Sequence, residues 1–142
     1  MKRITVLLAD DYRAVRKEFR KILEREGDLE VVGEAKDGHQ AVAMVKKLHP
    51  ALVLMDVAML LLNGLQATRQ ILEAAPATNV LMLSAYNDEA YVQAAINSGA
   101  MGYLLKQTCA DCVCSAIREV QKGNVFFSPS LPGRFRKRSL KP

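Results

Sequence analysis

Residues Ala51 to Gly64 read ALVLMDVAMLLLNG: five apolar residues run straight into Asp56, and six more follow before Asn63-Gly64. Burying an unpaired carboxylate is costly, so Asp56 does not read as an ordinary interior residue. The difficulty disappears if the first run is a strand inside a parallel sheet. Asp56 then stands at the strand's mouth, where the apolar run stops being interior.

The same alternation extends along the chain. Ile4 to Ala9, Leu29 to Ala35, Leu52 to Met55, Val80 to Leu83 and Met101 to Leu105 are short runs rich in apolar residues. Between them the spacing is helical: Val15, Phe19, Ile22 and Leu23; Ala41, Met44, Val45 and Leu48; Leu65, Thr68, Ile71 and Leu72; Val113, Ala116, Ile117 and Val120. Thr108 and Asp111 open the last of these as a capping pair. Breakers such as Gly27-Asp28, Asp37-Gly38, His49-Pro50 and Asn63-Gly64 fall between the runs. Five strands alternating with five helices predict an α/β fold, a doubly wound five-stranded parallel sheet covered on both faces.

At 142 residues the chain reads as one domain with a proper core. Its longest apolar run is too short for a membrane span. The opening MKRITVLLADD is too short for a signal peptide, so a cytosolic chain is expected. The net charge of +5 belongs to the end RFRKRSLKP, which holds five basic residues and no acid. The other residues balance at 20 − 5 = 15 basic against 15 acidic side chains. We read that basic end as a solvated linker, and the preceding NVFFSPSLPG as partly anchored. The expected division is 1–122 for the folded domain and 123–142 for a linker-like tail.

Cys109, Cys112 and Cys114 form C-x-x-C-x-C. On a helix, Cys114 lies about 140° around from Cys109, so the sulfurs do not converge on one metal. An odd number of cysteines also argues against a disulfide framework.

In an open parallel sheet, ligands sit outside the carboxyl ends of the strands. The polar residues at those ends are Asp10 and Asp11, Asp56, Ser84 and Lys106, and all should face one crevice. Carboxylates crowded together repel, and a hard divalent cation such as Mg²⁺ is the usual remedy. A lysine and a hydroxyl beside them suit a phosphate. Together they describe an aspartate that accepts a phosphoryl group.

The stretches LLADD, LVLMDV, NVLMLSA and GAMGYLLK resemble the four motifs of the response-regulator receiver domain of two-component signalling. LLKQT and AIREVQKGNVFFSPS are similar to the NarL/FixJ subfamily, transcription factors with a C-terminal helix-turn-helix. The resemblance covers residues 2 to about 122 and implies a flavodoxin-like or CheY-like sheet of order 2-1-3-4-5. It implies that Asp56 is the phosphoacceptor, and that Asp10, Asp11, Asp56 and the backbone carbonyl of Ala58 bind Mg²⁺. Ser84 and Lys106 would contact phosphoryl oxygens, and Tyr103 would be the switch aromatic beside Ser84. The implied donor is a sensor histidine kinase, and the protein is a switch, with at most slow self-phosphorylation and self-dephosphorylation as chemistry. Any dimer is expected to use helical surfaces near the first and last helices or the 85–122 face.

Two features depart from the family. Leu60 stands where a proline is usual, in an unusually apolar loop, Met59-Leu60-Leu61-Leu62, which we expect to be partly buried. The subfamily's DNA-binding domain is not in this sequence, so the chain is either an excised receiver or a natural single-domain protein. The linker-like tail favours truncation, and no specific DNA binding is expected of this chain alone. A phosphorylation-independent interaction module is the alternative reading. A haloacid-dehalogenase-type hydrolase needs an acid two residues after the nucleophile, where this chain has Ala58. A flavin carrier needs a first loop rich in Ser, Thr and Gly, and this one reads DDYRAV.

Overall fold

The computed structural model describes residues 3–59, 62–86, 88–107, 110–128 and 131. The element order is β1 (Ile4–Ala9), α1 (Arg13–Glu24), β2 (Leu29–Ala35), α2 (Gly38–Leu48), β3 (Leu52–Asp56) and α3 (Gly64–Ala74). There follow β4 (Asn79–Ser84), α4 (Glu89–Ser98), β5 (Gly102–Leu105), α5 (Ala110–Gln121) and β6 (Phe126–Phe127). All pairings are parallel, in the order β2-β1-β3-β4-β5-β6. The expected five-stranded order is therefore present, with a short sixth strand added beside β5.

Alternation along the strands divides the interior in two. Leu7, Val53, Met55, Val80, Met82 and Tyr103 point to one face with α2, α3 and α4. Val6, Leu8, Leu52, Leu54, Leu81, Leu83 and Leu104 point to the other with α1 and α5. Both faces are covered, which explains why the strands are apolar throughout rather than at alternate positions.

The helical stripes hold with local adjustments. Phe19 and Leu23 of α1 are buried, as are Val113, Ala116, Ile117 and Val120 of α5. In α2 the buried stripe is Ala41, Val42 and Val45, while Leu48 is 37% exposed at the end of the helix. There His49 takes a left-handed backbone (φ 49°) as its C-cap. Thr108 and Cys109 lie outside the described residues, as does the basic end; of the thiols, Cys114 is buried and Cys112 half-buried on α5.

The greasy loop after Asp56 joins the core at both ends. Met59 and Leu62 are 7% and 8% exposed and pack with the α2–α4 side of the sheet. Leu60 and Leu61 lie outside the described residues. Leu62 lies against Gly38, where an added Cβ would run into the Leu62 backbone and come within 2.7 Å of its Cβ. Glycine at the start of α2 is thus what lets the loop come down.

The stretch after Gly123 is tied to the sheet. Phe126 and Phe127 pair with Gly102 and Tyr103, and Phe127 and Leu131 are buried. Ser128 accepts a hydrogen bond from Leu105 N (3.0 Å) through its hydroxyl and donates its own N–H to Tyr103 O (3.0 Å). Among the described residues, no helix is long and apolar enough to cross a membrane.

Candidate functional site

Four strands deliver polar residues to one edge. Asp10 and Asp11 follow β1, Asp56 closes β3, Ser84 closes β4 and Lys106 follows β5. Register makes them neighbours: Ala9 pairs with Met55, Asp56 with Leu83, and Ser84 with Leu105. Carboxylate oxygens of Asp10, Asp11 and Asp56 lie within 4.8 Å of one another. Asp10, Asp11, Asp56 and Lys106 thus lie together, and Ser84 closes the adjoining strand.

The crevice is largely closed to water. Asp10, Asp56 and Ser84 are 3%, 4% and 1% exposed. Lys106 Nζ lies 3.1 Å from Asp10 Oδ2 and 3.5 Å from Asp56 Oδ1. Burial works to lower the ammonium, but Asp56 and Asp10 outweigh it and hold Lys106 above its usual range. Asp56 is pushed up from 3.8 to about 6, first by burial and then by Asp10; Lys106 and the Ala58 N–H pull the other way. That N–H donates to Asp56 Oδ1 at 3.3 Å.

One cation does not satisfy three acids. Asp11 Oδ1 is buried without a hydrogen-bond partner among the described residues, and Asp10 Oδ2 has only the lysine ion pair. Unpartnered carboxylate oxygens facing one point fit a hard divalent cation, which oxygen ligands suit.

Ser84 and Tyr103 are linked through the loop after β4. Ser84 Oγ accepts from Tyr86 N (2.9 Å), and the Tyr103 hydroxyl donates to Tyr86 O (2.8 Å). Tyr103 is fully buried, and burial raises its hydroxyl above the ordinary value. Tyr86 and Tyr91 stack on the surface beside it, with ring centroids 5.1 Å apart.

Sequence reasoning missed the supports of Asp10. Tyr12 N donates to Asp10 Oδ1 (2.9 Å), and the Tyr12 ring lies 5.9 Å from Lys106 Nζ. Arg16 Nη1 donates to Asp10 O (2.6 Å). The available signal was an arginine one turn into α1.

With this geometry in place, comparison with known proteins is specific. The response regulator receiver domain family matches residues 6–118. The chain belongs to that family. The transcriptional regulatory protein DegU of Brevibacillus brevis is 37% identical over 129 residues, covering 91% of this chain and 55% of that protein. YxjL of Bacillus subtilis, an uncharacterized transcriptional regulatory protein, is 40% identical over 125 residues, covering 88% of this chain and 57% of that protein. The receiver chain thus spans little more than half the length of these curated relatives. Among solved structures, the receiver domain of the response regulator NarL from Mycobacterium tuberculosis superposes with a TM-score of 0.85 at 31% identity. It covers 87% of this chain and 100% of that one. The isolated receiver domain of RcsB from Salmonella enterica, determined with the phosphomimetic BeF3-, gives 0.83 at 26% identity, covering 92% and 96%.

Proposed function

We propose that Asp56 is the phosphoacceptor of this receiver and that a sensor histidine kinase supplies the phosphoryl group. The observation that carries the proposal is the buried Asp56 carboxylate, with Lys106 at 3.5 Å and two further acids beside it. At neutral pH a carboxyl titrating near 6 is mostly ionised, as a nucleophile must be. Attack by an Asp56 oxygen on phosphorus forms the acyl phosphate and expels the donor's leaving group. The fixed ammonium of Lys106 stabilises charge on the transferring oxygens without having to reorganise.

Asp10, Asp11, Asp56 and the Ala58 carbonyl would hold Mg²⁺, and the orphaned Asp11 oxygen supports that assignment. Such an ion would supply positive charge to neutralise phosphoryl oxygens during transfer. The Ser84 hydroxyl, now accepting from Tyr86 N, turns to donate to a phosphoryl oxygen. Because Tyr103 holds the carbonyl of the same Tyr86, movement at Ser84 reaches Tyr103, β5 and the surface beyond. The BeF3- complex of the RcsB receiver supports a phosphoryl-responsive reading here by similarity. Control of transcription is the output proposed for the full protein, from the names of DegU and YxjL. We assign the chain to the cytosol, where a kinase would reach it, and read 123–142 as a segment that follows the last helix and is anchored to the sheet through Phe126–Phe127.

Treatment with acetyl phosphate and Mg²⁺ tests this. Mass spectrometry should find one added phosphate, lost with EDTA and absent in Asp56→Asn. Equal labelling of that variant would overturn the assignment.

A further inference from the structure

Three polar atoms of Asp10 are hydrogen-bonded and the fourth, Oδ2, is only ion-paired. Its N–H donates to Ala35 O of β2 (3.0 Å), and its Oδ1 and Oδ2 meet Tyr12 N (2.9 Å) and Lys106 (3.1 Å). Its carbonyl is taken by Arg16 Nη1 at 2.6 Å, a short charge-assisted bond. That carbonyl belongs to the peptide plane joining Asp10 to Asp11. Whatever fixes it also fixes the plane from which the Asp11 side chain departs, and so restrains a carboxylate whose Oδ1 has no hydrogen-bond partner among the described residues.

The grip is anchored in its turn. Arg16 Nε donates to Glu34 Oε1 (3.0 Å), and the other Glu34 oxygen accepts from Arg20 Nε (2.7 Å). The Arg16 side chain is 13% exposed. First Arg20, then Arg16, holds the Glu34 carboxyl below its usual range despite partial burial. Both peptides flanking Asp10 are therefore tied to the end of β2, one directly at Ala35 and the other through Arg16 and Glu34. Only a guanidinium meets two acceptors in different directions from one rigid fork; an ammonium on the same stem is a point charge.

We infer that Arg16 is a positioning residue for cation binding, fixing the Asp10–Asp11 peptide plane and thereby aiming the Asp11 carboxylate. The inference rests on reading the three-aspartate cluster as a Mg²⁺ site. Glu34 has a second part in it. By neutralising Arg16, it lets a cationic side chain stand behind the acids without competing with the metal.

Charge and position make opposite predictions for Arg16→Ala, so one titration separates them. Removing a positive charge near three carboxylates would by itself tighten Mg²⁺ binding. Loss of positioning should instead weaken it by about tenfold or more, the usual effect of removing a group that orients a metal ligand. The experiment is a MgCl₂ titration of the full chain, followed by calorimetry and by the amide NMR signal of Asp11. Arg16→Lys, which keeps the charge but reaches one partner, should also bind more weakly. Arg20→Ala loses its own contact with Glu34 but leaves the Asp10 carbonyl held, and should stay within about twofold of the unaltered chain. Binding by Arg16→Ala as tight as the unaltered chain's, or equal weakening in Arg20→Ala, would overturn the positioning role alone. Absence of Mg²⁺ binding in the unaltered chain would overturn the cation-site reading itself. Urea unfolding checks each variant, and if Arg16→Ala does not fold, Arg16→Lys decides on the same scale.

Discussion

Replacing Asp56 by asparagine should stabilise the metal-free receiver while removing the proposed phosphoacceptor. In the fold Asp56 titrates near 6, against an ordinary 3.8, because burial and Asp10 disfavour its charge more than Lys106 favours it. Between pH 4 and 6 the folded chain keeps a proton that the unfolded chain has released. Stability therefore falls as pH rises through this window, and the full penalty persists above it. The gap of about two pH units, at about 1.4 kcal/mol each, amounts to about 3 kcal/mol. Asparagine has nearly the same shape, its oxygen can still accept from Ala58 N, and Lys106 keeps Asp10 at 3.1 Å. Urea unfolding in EDTA at pH 7.5 should show Asp56→Asn more stable by about 1–3 kcal/mol, or about 3 °C in Tm per kcal/mol. The advantage should shrink as pH falls and approach zero below about pH 3, where both folded and unfolded carboxyls are protonated. Adding MgCl₂ should narrow it at pH 7.5, by stabilising the unaltered chain more. Equal or lower stability of Asp56→Asn at pH 7.5, or a gain that does not change with pH, would refute the reasoning.

Gly38→Ala should cost about 1–3 kcal/mol in urea unfolding, because its Cβ meets the Leu62 backbone and the loop must shift. Phe127→Ala should cost about 3 kcal/mol or more although it lies beyond residue 122, since the ring is 4% exposed against the core; a neutral result would mean that β6 is dispensable. Tyr103→Phe leaves the Tyr86 carbonyl without its donor and should cost about 1 kcal/mol in the same assay. Arg118→Ala breaks ion pairs of 2.7 Å with Glu26 and 2.8 Å with Asp28, all partly exposed. Its cost should stay near 1 kcal/mol and fall with added salt.

Strands, helices and strand-end residues were legible in the sequence because each is a local property. A run such as LVLM followed by Asp56 states its burial and its boundary within a few residues, and α5 shows its buried stripe at helical spacing. Leu48 departed from its stripe because α2 ends there, where periodicity no longer guarantees cover. The sixth strand was read as part of a linker, since two residues carry no period; pairing with Gly102 and Tyr103 makes Phe126–Phe127 a strand. The place of Asp56 at a strand end was legible, but its elevated pKa was not. That value depends on how closely register brings Asp10 and Lys106 to a buried carboxylate, and spacing along the chain does not encode such distances. Arg16 shows the limit most clearly. In sequence it is one cation among several on an amphipathic helix, and only the packing of α1 against the end of β2 directs it to the Asp10 carbonyl and Glu34.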